Sequence, residues 1–94
     1  MQTQTTARHP NQVAMSDFVA REIAAAGAMP TTDALDHLDA VDARLVAMSA
    51  KMTAPGRTPS HLEGLSAWDF LTARNAVSKV KAALQAAMFT QAAA

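Results

Sequence analysis

Apolar side chains recur at alternating steps of four and three residues over the segment 33–52, and no other feature of the sequence constrains the fold as strongly. The repeat consists of Ala34, Leu38, Val41, Leu45, Met48 and Met52. This spacing places the whole set on one side of an α-helix about 30 Å long. Aspartates fill the first half of the segment, while Arg44 and Lys51 occupy the second half, which complements the helix dipole. We therefore predict a helix over residues 33–52, with Thr31 or Thr32 as its N-cap.

A second long helix is predicted over residues 67–89. Its apolar repeat also alternates steps of three and four, and consists of Phe70, Ala73, Val77, Val80, Leu84 and Ala87. Two start signals precede it: Ser60 with Glu63 fits a capping box, and Ser66 with Asp69 fits a looser version. A Pro-Gly turn signal lies in the segment 53–59 between the two long helices. Two long helices joined in this way predict an antiparallel helical hairpin, with Asp39 and Asp42 near Lys79.

A shorter helix is predicted over residues 13–26, in front of the hairpin. Its apolar face consists of Met15, Phe18, Val19, Ile23 and Ala26. Ser16 or Asn11 is the expected N-cap, and Gly27 is expected to end the helix in a left-handed conformation. Residues 1–12 read as a polar, disordered tail and residues 91–94 as a C-terminal tail, so that residues 13–90 form one all-α domain.

The supply of large apolar residues is small for a chain of 94 residues. Half of the residues are hydrophobic by count, but 23 of the 94 are alanines, which bury little surface each. We therefore expect a small helical bundle that is completed by self-association or by a protein partner. The apolar residues expected to remain for that interface are Met48, Met52, Trp68, Leu71, Met88 and Phe89.

The composition also argues against most kinds of chemistry. With no cysteine, the chain has no disulfide, no cysteine-based zinc site and no thiol nucleophile. Its three glycines are scattered and its three histidines are dispersed, with only His37 in a predicted helix. Asp33 lies one turn from His37, but two ligands do not make a catalytic metal site. We expect no catalytic, cofactor or metal site and no small-molecule substrate, so the protein is predicted not to be an enzyme.

The charge balance disfavours nucleic acid as a partner. Lys plus Arg and Asp plus Glu number eight each, so that the formal net charge is zero. Arg74, Lys79 and Lys81 form a candidate weak basic face that could contact phosphates. A helical protein that binds nucleic acid weakly through this face is the second alternative function.

No signal-like apolar stretch occurs in the first dozen residues. The longest uncharged run, residues 82–94, is shorter than the roughly 20 residues that a membrane span needs. We therefore expect a bacterial-type cytoplasmic protein without a membrane span, with export that needs no signal peptide as the alternative.

The segment 69–78, with the sequence DFLTARNAVS, resembles a segment of type III secretion needle subunits. Those proteins are also helical hairpins of similar length with a proline in the turn before the second helix, and they polymerise outside the cell. The resemblance spans about ten residues and implies a filament or assembly subunit as the first alternative function. It carries over no functional residue. The function that the residues themselves favour is a non-enzymatic protein–protein interaction module of the adaptor, inhibitor or antitoxin kind.

Overall fold

The computed structural model describes the backbone of residues 9–93 and the side chains of residues 9–90. Three α-helices follow one another within this part: α1 (Pro10–Gly27), α2 (Thr31–Thr53) and α3 (Ala67–Ala93), with a short 3₁₀ helix at Ser60–Leu62 before α3. No β-strand occurs in the described part, which confirms the all-α prediction. Each helix covers its predicted segment and extends beyond it. Residues 1–8 of the predicted tail lie outside the described residues, whereas Pro10 to Gln12 form the first turn of α1.

All three helices contact one another and bury a single core. The periodic residues form most of it, because Leu38 and Leu45 of α2 and Val77 of α3 are almost fully buried. The loop adds Leu62 and Leu65, two core residues that the helical repeats do not reveal. The remaining buried residues are Met15, Val19, Ala26, Ala34, Val41, Phe70 and Ala73. Each large side chain buried in this way contributes about 1.5–3 kcal/mol relative to an exposed one.

Two ion pairs join α2 to α3 and show the order of their contacts. Asp42 pairs with Arg74 at 2.8 Å, and Asp39 pairs with Lys81. Later residues of α2 therefore meet earlier residues of α3. The prediction that Lys79 lies near Asp39 and Asp42 is wrong, because their partners are Lys81 and Arg74. A step of two residues turns an α-helix by about 200°, which puts Lys79 on the other side of α3 from Lys81.

The predicted ends of the first two helices need correction. The N-cap of α1 is His9, whose Nδ1 accepts a hydrogen bond from the Asn11 backbone N–H, while the His9 N–H donates to Gln12 Oε1. Pro30 is the N-cap of α2, and no threonine side chain caps that helix. Gly27 is the last residue of α1, and the chain continues right-handed into Ala28 with φ −94°. The Asn11 side chain bonds to the loop before α3 instead of capping α1, and Pro30 occupies the N-cap position of α2 in place of a threonine.

Only one of the two start signals before α3 forms a capping box. The Ser66 N–H donates to Asp69 Oδ2 at 2.8 Å, and the Asp69 N–H donates to Ser66 Oγ at 3.4 Å. Ser60 and Glu63 do not cap in this way, because Ser60 is the first residue of the 3₁₀ helix and Glu63 is its C-cap. The N–H of Glu63 bonds to the Ser60 carbonyl instead.

The start of α1 is fixed to the segment that leads into α3. The Asn11 Nδ2 donates to the carbonyl oxygens of Ser60 and Glu63 at 2.9 and 2.8 Å. Gly64 has φ +81°, and a Cβ placed there would lie 2.3 Å from Cγ of the His9 ring. The glycine therefore permits both the turn and the close approach of the histidine. These contacts set α1 beside α3, and Met15 and Trp68 line the same groove between the two helices.

Candidate interaction surface

A second periodic set of residues runs along α3 on the side away from the core. We name it the outer stripe, and it consists of Trp68, Leu71, Asn75, Ser78, Ala82, Gln85 and Phe89. Steps of three and four residues align these positions along one helix face, as they do for the core repeat of the same helix. Every member is exposed and none is charged. One helix thus presents two uncharged faces, of which the rest of the chain covers one.

Large apolar side chains of the outer stripe are unusually open to solvent. Trp68 is 72% exposed, Leu71 50% and Phe89 79%. An exposed tryptophan and an exposed phenylalanine each leave roughly 150–200 Å² of surface in contact with water. Single exposed apolar residues are ordinary, but three of this size on one helix face are a candidate interface.

The interface residues predicted from the sequence divide into three groups in the structure. Met48 and Met52 are half-buried and pack against the core, so they lie outside the exposed surface. Trp68 and Leu71 lie at the first turns of α3. Met88 (40% exposed) and Phe89 lie at its far end, beside Leu35 of α2. The two exposed groups are separated by about 27 Å of helix, since Phe89 lies 18 residue steps after Leu71.

Open grooves follow both sides of the first half of α3. Between α1 and α3, a groove of about 280 Å³ is lined by Met15, Val19 and Trp68. Between α2 and α3, a groove of about 380 Å³ is lined by Val46, Leu71 and Arg74. The large side chains at this end of the outer stripe therefore stand beside depressions that another helix could enter.

The charges near the outer stripe are mostly neutralised within the chain. Arg74 Nε and Nη2 donate to the two carboxylate oxygens of Asp42 at 2.8 and 3.2 Å. That hydrogen bonding holds the pKa of the Asp42 carboxyl below its ordinary value, against a smaller opposing effect of burial. Lys81 pairs with Asp39. Of the predicted basic face, Lys79 is the one member without an ion pair among the described residues.

The described residues contain no group of three or more His, Asp or Glu side chains that could hold a metal ion. His37 lies away from the outer stripe, with its Nε2 3.1 Å from Glu22 Oε1. The two atoms are not aligned for a hydrogen bond. The contact is an ion pair only when the imidazole is protonated. Arg44 lies over the Phe18 ring at 4.8 Å from its centroid and joins α1 to α2.

Sequence reasoning missed the residues that orient α1 and part of the candidate surface. His9 and Asn11 fall in the segment predicted to be a tail. Asn11 bonds to Ser60 and Glu63, about 50 residues away, and the His9 ring lies over Gly64. No local pattern carries such a signal. The outer stripe does have a readable signal, its alternating steps of three and four, but Asn75, Ser78 and Gln85 hide it from a search for apolar repeats.

No family model matches the chain, and neither a curated protein nor a solved structure matches it. None of the helices in residues 9–93 combines the length and the apolar character needed to pass through a bilayer.

Proposed function

We propose that the chain is a non-enzymatic protein–protein interaction module of the adaptor, inhibitor or antitoxin kind, and that it acts through the outer face of α3. The observation that carries this proposal is the exposure of Trp68, Leu71 and Phe89 along one uncharged helix face. Burying such side chains against another protein removes apolar area from water, and aromatic residues are frequent anchors of protein interfaces.

The proposed architecture is an antiparallel hairpin of α2 and α3, with α1 packed on it and the bundle completed by self-association. The opposite order of contacts along α2 and α3, from Asp39–Lys81 to Asp42–Arg74, supports the hairpin. The second uncharged face of α3 supports the association, because a helix that is fully satisfied within one chain has a polar outer face.

A photoreactive amino acid at position 71, in the cell that produces the protein, tests the proposed function. We expect a covalent adduct with a protein, either another molecule of the chain or a different one. The same probe at position 57, in the exposed loop after α2, is the matched control and should give no adduct. Absence of any adduct from positions 71 and 89 would contradict the proposal.

The alternatives from the sequence stay predictions, and sedimentation separates them. A filament subunit forms polymers that grow with concentration, whereas an interaction module forms a discrete particle. A nucleic-acid binder sediments with DNA in a salt-sensitive manner that Lys81→Glu abolishes. Arg74 and Lys81 pair with α2 carboxylates, so that within residues 9–90 only Lys79 of that face has no ion pair, which favours the interaction module. The cytoplasmic location also stays a prediction.

A further inference from the structure

The outer stripe of α3 is complementary to itself when its sequence is read in the opposite direction. Six of its seven positions pair around a centre at position 80, since 71 and 89, 75 and 85, and 78 and 82 are equally far from it; Trp68 lies one turn beyond the outermost pair. Two antiparallel copies of α3 would then set Leu71 against Phe89 at each end, Asn75 against Gln85 further in, and Ser78 against Ala82 in the middle. Every one of these positions is exposed in the single chain.

We propose that a second copy of this chain covers the outer stripe, with the two α3 helices antiparallel and Leu71 of each copy packed on the partner's Phe89. This inference rests on the proposed function and names its partner. A two-fold dimer brings the same surface of both subunits into contact, and a two-fold axis perpendicular to the helices makes the two α3 helices antiparallel.

The exposed area fits a stable dimer. Two copies bring together two tryptophans, two phenylalanines and two leucines, all at least half exposed in the single chain. With roughly 150–200 Å² from each aromatic ring, the pairing buries on the order of 1,000 Å² in total, about the lower limit for a specific interface. No part of this stripe is a charged residue whose burial would oppose association.

The middle of the stripe allows the two helices to come close. Ser78 and Ala82 are small, so the helix axes can approach to about 8 Å while the large side chains interlock at the two ends. Asn75 and Gln85 each carry an amide that can both donate and accept a hydrogen bond. Their pairing fixes the register, because a shift along the helix leaves buried amides without partners.

Lys79 gives the geometry a specific electrostatic signature. It lies on the edge of the stripe that faces α1, in a groove lined by Trp68, Thr72 and Ala76. Because position 79 is next to the centre of the pairing, the two Lys79 side chains come close together on the same edge. Their repulsion weakens the dimer at low salt, so added salt and Lys79→Gln should both tighten it.

Sedimentation equilibrium of the full chain provides the first test. We expect a particle of twice the 9.9 kDa chain mass. Replacing Leu71 and Phe89 together by glutamate should raise the dissociation constant at least about tenfold, while helicity by circular dichroism stays unchanged. Val13→Glu, on the exposed face of α1, is the matched control and should leave the dimer intact. A wild-type chain that stays monomeric at every concentration overturns the inference.

A charge exchange tests the direction of the helices. The double variant Leu71→Lys with Phe89→Glu places opposite charges together only in the antiparallel dimer, so it should dimerise more strongly than the double glutamate variant at low salt. In a parallel dimer each residue meets its own copy, and both variants are repelled equally. Equal dissociation constants for the two variants would therefore refute the proposed geometry.

Engineered cysteines test the register, and the absence of native cysteine keeps the chemistry simple. Mixing an Asn75→Cys chain with a Gln85→Cys chain should give a disulfide between the two. Asn75→Cys alone should not cross-link, because its two copies are about 15 Å apart along the helix. A homodisulfide of Asn75→Cys refutes the register.

If the purified chain is monomeric but the probe at position 71 links it to a different protein, this inference fails and the proposed function stands.

Discussion

Gly27 and Gly64 have different surroundings and give opposite expectations for the same substitution to alanine. At Gly64 the backbone has φ +81° and the His9 ring fills the space of a Cβ, so Gly64→Ala should lower the free energy of unfolding by about 1–3 kcal/mol. Gly27 is helical, and an added Cβ would meet no atom within 4 Å apart from its own helix backbone and chain neighbours. Gly27→Ala should therefore raise the free energy of unfolding by about 0.4–1 kcal/mol. Urea unfolding of both variants measures the difference.

Adding His9→Ala to the Gly64→Ala chain separates the two causes of the loss. His9→Ala alone also removes the cap of α1, so that single variant is the reference for the double variant. Without the ring only the backbone strain remains, so Gly64→Ala should cost less free energy of unfolding in the His9→Ala chain than in the wild type. A Gly64→Ala chain that is as stable as wild type would show that His9 does not lie over Gly64.

The ion pair of Asp42 with Arg74 predicts a dependence of stability on pH. The pKa of Asp42 in the folded chain lies below its ordinary value of 3.8, chiefly because Arg74 donates hydrogen bonds to the carboxylate. The pair therefore stabilises the fold at pH above the unfolded value, and this contribution disappears as the pH falls through the folded pKa. Because Arg74 is exposed, solvent screening keeps the contribution at neutral pH small.

The variant Arg74→Gln checks this sign. Its free energy of unfolding should be lower than that of wild type near pH 7, and the difference should vanish at a pH well below 3.8. Arg57→Gln, in the exposed loop, serves as the control and should give no pH-dependent difference. A difference for Arg74→Gln that is equal at both pH values would exclude the ion pair as its cause.

At the level of elements, the two start signals before α3 lead to a matched pair of substitutions. Ser66→Ala removes one side of a formed capping box and should cost about 0.5–2 kcal/mol. Ser60→Ala should change stability by less than about 0.5 kcal/mol, because the Ser60 side chain caps no helix and its carbonyl still accepts from Asn11. Chemical denaturation distinguishes the two. Equal losses of unfolding free energy in the two variants would contradict the assignment of the cap to Ser66 alone.

The same elements show how far the sequence determines the fold. The spacing of Leu38, Val41 and Leu45 is a local signal, so it predicts the presence and the buried face of α2 correctly. The caps of α1 and α2 were predicted wrongly, because Asn11 bonds to the loop before α3 and Pro30, which has no side-chain acceptor, occupies the N-cap of α2. Sequence patterns therefore predicted the helices well and their caps only at Ser66 and Asp69.

The candidate surface was predictable in part for a related reason. Periodicity tells which residues share a face, but which face stays open depends on where the third helix packs. Met48 and Met52 continue the repeat of α2, and the fold turns them towards the core. Trp68, Leu71 and Phe89 lie off the core repeat of α3, and the fold leaves them exposed.

For the molecule as a whole, the contrast between fold and surface can be measured with two aromatic residues on the same helix. Phe70 is 3% exposed, so Phe70→Ala should cost about 3–5 kcal/mol of unfolding free energy. Trp68 is 72% exposed, so Trp68→Ala should cost less than about 0.5 kcal/mol while it weakens association. Denaturation at low concentration and sedimentation at high concentration measure the two effects separately. A large loss of stability in Trp68→Ala would assign that side chain to the core.

The position of Trp68 also gives the protein its own optical reporter. The chain has one tryptophan and no tyrosine, so its near-ultraviolet emission comes almost entirely from this indole. Because the ring stands in water in the single chain, its emission should be red-shifted even when every helix is formed. A shift to the blue on concentrating the sample would then signal the docking of a neighbour, with no label attached.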